Sequence, residues 1–370
     1  MRGAPEEFKG SVIYTTRRYV IIWLTGLILA ALIAWMVTPF FVNSIHQWRW
    51  HEELNRFARP VGYVQRWRSE GWAETRYGRY SISAIEDIGE AEASKAAIWG
   101  DSFVEAFQVD DPLKMSQQLT RLWNSKHPEG LVGVALGNSG WSVSDYYFLI
   151  PRYEEIFLPV CHFIIVSNLT DDICPDGKWF QSEPVFSFKE REPEGDLDAR
   201  WRQIMAEWKL EFFYYPLRTF TRDIIEGGRI RFRPGPAEKK LVEKMPVSTE
   251  FTHSPPLDAW LFAVQSLQRQ TNQPVVFIYA PRTPKPEEGR LVQEDPYGDW
   301  ADALEKVCME CNAGFIDMTP AFRGLVMEEG VFPRGFDNGL LSEGHFNRHG
   351  HRLIAKAMVN YVEAHALYPD

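Results

Sequence analysis

The chain has few cysteines, no internal repeat and no excess of basic residues. Its 370 residues include four cysteines, too few for a disulfide scaffold. Lysine and arginine number 40 against 50 aspartate and glutamate, and nucleic-acid binding needs a concentrated positive excess, so a nucleic-acid partner is not expected. The 45% hydrophobic content excludes wholesale disorder. Packing is the default role for the cysteines, with one or two disulfides left open: Cys161, Cys174, Cys308 and Cys311.

Charged residues are absent from one long stretch, Tyr19 to Val42. As a helix this stretch reaches roughly 36 Å, which is enough to cross a bilayer. Its end is bulky, with Trp35 and Phe40, whereas a cleaved signal needs small residues there. We therefore expect residues 19–42 to be an uncleaved anchor. Arg17 and Arg18 precede it and favour a cytoplasmic N-terminus.

The remainder of the chain is expected outside the cytoplasm, in the periplasm of a bacterial inner-membrane protein. Residues 1–18 form the cytoplasmic tail, and residues 43–93 form a juxtamembrane extension in which 77–82 is predicted as a short strand. Residues 94–370 are predicted to form one α/β domain. A stretch at about 175–256 is too long for one crossover and is interpreted as an insertion, with a helix from about Asp198 to Ile225.

Short apolar runs and helical patterns alternate from residue 94 onward. This alternation predicts an open parallel sheet with helices on both faces, because each crossover between parallel strands covers one face. The predicted strands are Ala96–Trp99, Leu131–Leu136, Val160–Val166, Pro274–Ala280 and Gly314–Met318, and the predicted helices include Pro112–Trp123, Val143–Ile156, Leu257–Arg269 and Trp300–Cys311.

Polar residues directly follow the first two predicted strands. Ligands of an open parallel sheet bind beyond the carboxyl ends of its strands, so these positions are candidates for chemistry. Asp101 and Ser102 follow the first strand, where a serine opening a helix is placed as a nucleophile or, more simply, as a helix cap. Gly140 lies in the loop after the second strand and allows close backbone approach to an anion, or an ordinary turn.

The third predicted strand is followed by a loop of amide and acid side chains. Asn168 is a candidate donor to a developing oxyanion, and Asp171 and Asp172 are candidates for orienting the loop. Turn formation by Asn and Asp side chains is the alternative for each of them.

Three histidines lie just before the C-terminal helical pattern. His345 is in a loop that reaches the carboxyl edge of the sheet, where it is a candidate base for a nucleophilic serine. His349 and His351 follow it, but no acidic ligand pattern such as HExxH accompanies the three, so no metal site is predicted. The four strand-end signals come in chain order along one sheet edge.

Together these segments make the chain resemble the SGNH/GDSL hydrolase superfamily over roughly residues 90–175 and 255–367. Within that family the chain looks most similar to bacterial proteins that add or remove O-acetyl groups on polysaccharides. The residues that carry the resemblance are Gly100-Asp101-Ser102-Phe103, then Gly140, then Glu343-Gly344-His345-Phe346-Asn347.

The resemblance implies a flavodoxin-like three-layer sandwich with a five-stranded parallel sheet, and a serine esterase or acyltransferase site that uses no cofactor. Ser102 would be the nucleophile and His345 the base. The amides of Ser102 and Gly140 and a side chain of the third loop, Asn168 or Asp171, would form the oxyanion hole. The remaining residues would support the site: Asp101, Asp172 and Asn347.

The chain departs from the family pattern at two positions. The third block usually reads Asn-Asp, whereas Asp171-Asp172 occupies its best register, and an ionised carboxylate cannot donate to an oxyanion. The orienting acid is often an Asp shortly before the histidine. Here Glu343 stands two residues before His345, so the predicted triad is Ser102–His345–Glu343, with Asp337 as the alternative acid.

Three hypotheses of function remain open at this point. The first is an esterase or O-acyltransferase acting on cell-surface polysaccharide or its precursors, with a multi-span membrane partner as acyl donor if it is a transferase. The second is a lipid esterase or thioesterase with the insertion helix as a lid. The third is a non-catalytic glycan-binding or assembly component. Candidate tryptophans for stacking on sugar rings are Trp141, Trp179, Trp201 and Trp208, with packing in the core or at the membrane interface as the alternative for each.

Overall fold

A computed structural model describes most of the chain. The described ranges are 7–85, 93–174, 180–182, 185–190, 197–215, 254–287, 290–292, 297–339 and 341–368. The predicted insertion at 175–256 is therefore described only in part. Trp179 and residues 216–225 of the predicted insertion helix lie outside the described residues.

Five parallel strands form the central sheet, as the sequence predicts. Their order is β13-β10-β7-β5-β6, so β5 pairs with β6 on one side and β7 on the other. Each predicted strand is present with bounds shifted by two residues or fewer. The apolar runs form strands because the inner ones are covered on both faces, and all six residues of β7 are buried. The bounds are β5 Ser94–Gly100, β6 Leu131–Gly137, β7 Cys161–Val166, β10 Val275–Tyr279 and β13 Gly314–Asp317.

Helices pack on both faces of this sheet and complete the three layers. One buried cluster joins the sheet to α4 (Val143–Glu154), α6 (Leu257–Gln268) and α7 (Gly298–Glu310). A second cluster on the opposite face joins it to α3 (Met115–Asn124), α8 (Thr319–Glu329) and α9 (Arg348–Ala364). The predicted α/β sandwich is thereby confirmed.

One N-terminal helix, α1 (Glu7–Phe41), stands apart from the sandwich. Its segment Thr16–Phe41 is long and apolar enough to cross a membrane, with mean hydropathy 2.6 and none of its most apolar window buried in the protein. Large apolar side chains such as Trp23 and Leu27 are exposed along it, 78% and 68% respectively. Its length and apolar surface fit a membrane-spanning anchor or a signal sequence.

The segment after α1 forms two small antiparallel hairpins, β1–β2 and β3–β4. The prediction of a strand at 77–82 is wrong, since a single 3-10 turn occupies Arg79–Ser81 and only Tyr77 and Ser83 form a bridge. Tyr80 and Ser81 have positive φ there, which no strand allows. The hairpin strands are β1 Arg49–His51, β2 Arg56–Ala58, β3 Val64–Trp67 and β4 Ala73–Arg76.

In the described part of the insertion, a short helix and a break stand where the sequence predicts one long helix. Helix α5 spans Leu197–Glu207, the chain turns at 208–210, and residues 211–215 are helical again. Lys209 has φ 52°, a value that interrupts a right-handed helix. No disulfide joins the four cysteines, all of which are buried. The remaining elements are α2 Ser102–Glu105, β8 Phe180–Gln181, β9 Ser187–Phe188, β11 Lys285–Glu287, β12 Arg290–Val292, β14 Arg334–Gly335 and β15 Leu341–Phe346.

Candidate active site

Ser102 lies where strand β5 passes into helix α2. Asp101 caps that helix, its Oδ1 accepting the Phe103 amide at 2.9 Å. Ser102 is half-buried, and its hydroxyl is 3.4 Å from Asp101 Oδ2. The cap and the helix start therefore hold the serine hydroxyl at the carboxyl edge of the sheet, where the sequence predicts it.

His345 reaches the serine from β15. Its Nε2 is 2.9 Å from Ser102 Oγ, so the structure brings these two predicted residues within hydrogen-bond distance. Asn347 fixes the strand just after the histidine: its Oδ1 accepts the His349 amide at 2.9 Å, and its Nδ2 donates to Phe332 O at 2.7 Å. Asn347 thus caps α9 and holds the chain that carries His345.

The carboxylate that contacts His345 is that of Glu70, in the juxtamembrane extension. Glu70 Oε2 is 2.7 Å from His345 Nδ1, and Oε1 accepts the His345 backbone amide at 2.8 Å. A carboxylate only accepts, so Nδ1 carries the proton and Nε2 of the neutral ring accepts from Ser102. The expectation that Glu343 or Asp337 would take this place is wrong, because Glu70 already occupies the Nδ1 side of the ring.

The turn that carries Glu70 is fastened to the loop before β15. It joins β3 to β4, and Gly71 N donates to Asn338 Oδ1 at 2.7 Å while Asn338 Nδ2 donates back to Gly71 O at 2.8 Å. Gly344 then passes directly against the carboxylate. Its φ is +77°, and a Cβ there would overlap Glu70 Oε1. Two contacts distant in sequence therefore set the position of this carboxylate.

Replacing Gly344 by alanine is expected to lower kcat/KM for an aryl acetate by about 10²-fold, because the new methyl group displaces the Glu70 carboxylate from the ring. Gly62→Ala is the matched control, since Gly62 has a similar φ of +74° and a Cβ there meets no atom within 4 Å. Melting temperatures of both variants separate loss of the fold from loss of the contact. Equal activity of the two variants would contradict the role assigned to this close approach.

The charge on Glu70 is favoured by its partner. Partial burial acts to raise the pKa of Glu70, but the hydrogen bonds from His345, together with the charge of its ring when protonated, outweigh burial and hold that pKa below its usual range. Glu70 is therefore ionised wherever a serine hydrolase would work. An ionised carboxylate at Nδ1 stabilises the imidazolium that forms when the ring takes a proton.

Arg334 holds the backbone next to His345 in place through hydrogen bonds. Its buried guanidinium donates to Ala280 O at 2.6 Å and to Gly344 O at 3.3 Å, joining the end of β10 to the residue before His345. It also lies 4.8 Å over the ring of Phe103, which is 5.0 Å from the His345 ring. Burial lowers the pKa of Arg334 to about 10, which leaves it charged at neutral pH.

Two of the predicted oxyanion donors, Gly140 and Asn168, differ in their surroundings. Gly140 is exposed in the turn after β6, with φ +77°. Asn168 instead turns into its own loop: its Nδ2 donates to Asp171 Oδ2 at 2.7 Å, and its Oδ1 accepts the Tyr297 hydroxyl at 2.9 Å. Asp171 is thus an acceptor rather than the alternative donor. An oxyanion would compete with Asp171 for the Asn168 amide.

Glu105 is a residue that the sequence reasoning missed. Its buried carboxylate accepts the Ser139 amide at 3.0 Å, the Tyr77 hydroxyl at 3.0 Å and the Arg59 guanidinium at 3.2 Å. Glu105 stands three residues after Ser102, so it ties the serine helix to the loop of Gly140 and to the extension. Its place in the run that continues the Gly-Asp-Ser block is the only sequence signal for it.

Asp172 closes the loop that follows β7. Its Oδ2 accepts the amides of Ser167 at 2.7 Å and Asn168 at 2.8 Å. Burial and the nearby charge of Asp101 nevertheless raise the pKa of Asp172 to about 8, and burial raises the pKa of Asp101 as well. The two carboxylates beneath the site therefore disfavour being charged together.

This pair gives a pH-dependent stability. The folded protein holds a proton on Asp172 that the unfolded chain releases near pH 4, so the stabilisation is complete below about pH 4 and is lost as the pH rises toward 8. Asp172→Asn keeps an acceptor for both amides but removes the titration. We expect the wild-type unfolding free energy to fall relative to this variant by up to about 1.4 kcal/mol per pH unit in that window.

Denaturant unfolding at pH 5 and pH 8 measures this difference. Asp302→Asn, an exposed carboxylate on α7, is the control and should track the wild type at both values. Parallel stabilities of the wild type and Asp172→Asn across the range would mean that Asp172 is ionised in the folded protein.

The other two histidines of the C-terminal cluster point elsewhere. His351 is buried and its Nδ1 accepts the Met115 amide at 3.2 Å, while His349 contacts Arg348 at the surface. Burial lowers the pKa of His351 to about 3, so it stays neutral. Within the described ranges no group of three or more His, Cys, Asp or Glu side chains is placed to hold a metal ion.

Comparison with known proteins gives structural neighbours only. No family model matches the chain, and no curated protein matches it. Among solved structures, the acetylxylan esterase Axe2 of Geobacillus stearothermophilus aligns over 74% of this chain and 96% of its own at 15% identity, with a TM-score of 0.36. The acetyl xylan esterase AlAXEase aligns over 72% and 99% at 16% identity, with a TM-score of 0.37. A two-domain esterase active on acetylated mannans aligns over 75% and 51% at 12% identity, with a TM-score of 0.35. Similarity at this level leaves activity and substrate to the chemistry of the site.

Proposed function

We propose that the chain is a membrane-anchored serine esterase or O-acyltransferase that handles acetyl esters of cell-surface carbohydrate outside the cytoplasm. The observation that carries the proposal is the continuous hydrogen-bonded line from Ser102 Oγ through the ring of His345 to the carboxylate of Glu70, at 2.9 and 2.7 Å. A serine, a histidine and a carboxylate in this order activate a hydroxyl for attack on an ester.

The residues divide the reaction between them. His345 Nε2 takes the proton of Ser102 as Oγ attacks the ester carbonyl, and Glu70 stabilises the imidazolium. The amides of Ser102 and Gly140 are the donors we assign to the oxyanion. The leaving alcohol takes the proton from His345 as the carbon–oxygen bond breaks, which leaves an acyl group on Ser102. A water molecule or a sugar hydroxyl then attacks that ester through the same base.

The substrate class is supported by the sequence. The motifs at Ser102, Gly140 and His345 resemble those of bacterial proteins that handle O-acetyl groups of polysaccharides. Residues 19–42 would anchor the chain with its N-terminus in the cytoplasm and the site in the periplasm, where such polymers lie. A transferase with one span also needs a multi-span partner or an external carrier to supply its acyl group.

The test is ester cleavage by the purified full-length chain in detergent. We expect 4-nitrophenyl acetate to be cleaved faster than the octanoate, and acetate to be released from O-acetylated polysaccharide. A preference for the octanoate would favour a lipid esterase or thioesterase instead. Unreactive wild-type protein would favour a non-catalytic binding component, a reading that the engagement of Asn168 with Asp171 also supports.

A further inference from the structure

An exposed apolar face occupies the described part of the insertion. Trp201, Ile204 and Trp208 follow one another at helical spacing along α5 and its end, and Phe213 lies in the next turn. These side chains are 49%, 48%, 69% and 52% exposed. Single exposed apolar residues are ordinary on a protein surface, but three large ones on one helix face indicate a partner.

This face lies beside α1. The Trp35 indole nitrogen donates to Trp208 O at 3.4 Å. Met205 and Tyr214 are buried against Ile45, just beyond the end of α1. The turn at Trp208 is thereby fixed against the apolar helix itself.

The position of Trp35 along α1 indicates how deep in a bilayer Trp208 would lie. It precedes the last residue of α1, Phe41, by six residues, which is about 9 Å along a helix. It also lies inside the stretch of residues 19–42 that lacks any charge. If α1 crosses a bilayer, Trp208 therefore lies below the end of the span, at the depth where headgroups meet acyl chains.

The turn that carries Glu70 is fixed at the end of α1, about 9 Å along the helix from Trp35. Trp72, 56% exposed, meets the Phe41 ring edge-on with centroids 6.4 Å apart. Asn43 Oδ1 accepts the Arg68 amide at 2.6 Å, and Asn43 Nδ2 donates to Ser69 Oγ at 3.1 Å. The turn of residues 68–72 is thus held by the first residues beyond α1.

We infer that these residues form one interfacial face, Trp72, Trp201, Ile204, Trp208 and Phe213, which lies in the headgroup region of the bilayer that α1 crosses. The Ser102 site would then meet esters carried by molecules held at that surface, such as carbohydrate linked to lipid. The inference rests on the membrane anchor and ester chemistry of the proposed function, and it narrows the substrate to one presented at the bilayer.

A bilayer fits this face better than water or a second protein does. Tryptophan is the side chain most suited to the membrane interface, since its ring is apolar and its N–H still finds a partner. Glu207, next to Trp208, is paired with Arg49 at 3.1 Å, so it brings no uncompensated negative charge to the face. The face also meets α1 directly, through the hydrogen bond from the Trp35 indole to the Trp208 carbonyl.

Fluorescent labelling in phospholipid nanodiscs tests the placement. An environment-sensitive probe is attached at Ile204→Cys, at Met36→Cys within α1, and at Leu158→Cys, a more exposed apolar position between α4 and β7, 66% against 48% for Ile204. Lipids carrying a nitroxide near the headgroup serve as quenchers. We expect the probe at 204 to be quenched roughly threefold or more above the probe at 158, because only the former shares the interface with the quencher.

Each outcome decides one claim. Quenching at 36 and not at 204, with the probe at 204 open to aqueous iodide, leaves the anchor standing and overturns the interfacial face. Protection at 204 from both lipid nitroxide and iodide assigns the face to a protein partner and also overturns it. No quenching at 36 removes the anchor on which the inference depends.

Activity tests the consequence for the substrate. Ile204→Glu and Phe213→Glu place carboxylates on the face, at positions with no role in the proposed site. We expect each to lower cleavage of an acetyl ester on a lipid-linked sugar in vesicles about tenfold, while cleavage of dissolved 4-nitrophenyl acetate stays unchanged. Equal loss on both substrates would assign the face a structural role. Wild-type protein that cleaves neither ester defeats the proposed function, whereas the labelling result stands by itself.

Discussion

Replacing Ser102 by alanine is expected to lower kcat/KM for 4-nitrophenyl acetate by about 10⁴-fold or more, because it removes the attacking oxygen and leaves the rest of the site in place. The lost atom is the one that lies 2.9 Å from His345 Nε2. Ser102 begins α2 but the cap of that helix is Asp101, so the substitution leaves the cap intact. The rate is measured with purified full-length protein in detergent micelles.

Two controls separate chemistry from folding. Ser139→Ala removes an exposed hydroxyl from the neighbouring loop and should retain wild-type activity. A fluorophosphonate probe should add its mass to the Ser102 peptide of the wild type and to nothing in Ser102→Ala. Residual activity close to wild type in Ser102→Ala would mean that another group attacks the ester and that the proposed triad is wrong.

The central sheet could be predicted from the sequence because its strands are short, apolar and buried on both faces. β10 is an unbroken apolar run and β7 is apolar except for His162, and the shortness of these runs between helical patterns favours buried strands. The juxtamembrane segment carries no such signal. Residues 77–82 are predicted as a short strand, but they form a turn in which Tyr80 and Ser81 have positive φ and Tyr80 is buried in the core.

The residues of the site could be predicted from the sequence only where they lie within a local motif. Ser102 directly follows strand β5 and His345 lies near the end of β15, and each belongs to a short sequence motif that points to it. Glu70 lies 275 residues from His345, and its position depends on hydrogen bonds between Gly71 and Asn338 and on the missing side chain of Gly344. These contacts exist only once the extension has folded onto the sandwich, so no spacing in the sequence records them.

The prediction of an acid close in sequence to His345 is wrong for a further physical reason. The family pattern, in which the orienting acid often lies two or three residues before the histidine, favours Glu343. The intervening Gly344 and the preceding Ser342 both have positive φ, at 77° and 67°, so β15 does not alternate regularly there. An acid from a separate turn then approaches the open side of the ring.

Glu70→Gln is therefore expected to lower kcat/KM by roughly 10³-fold, whereas Glu343→Gln should remain close to wild type. The glutamine keeps the size of the side chain but removes the charge that stabilises the imidazolium, and its amide can hold the ring in the wrong tautomer. Glu70→Asp should recover part of the lost rate, since it restores the charge on a shorter arm. The assay is again the aryl acetate, with the rate followed across pH.

The pH dependence of stability tests the contact between Glu70 and His345 independently of the enzymatic rate. Because the pKa of Glu70 is held below its usual value, its pairing stabilises the fold above about pH 4.3 and that stabilisation disappears as the pH falls through the lowered pKa. The melting temperature of the wild type should exceed that of Glu70→Gln at neutral pH, and the gap should close in acid. Should Glu343→Gln reproduce both the rate loss and the closing gap, the orienting carboxylate would be Glu343, and the extension would serve only to join the sandwich to its anchor.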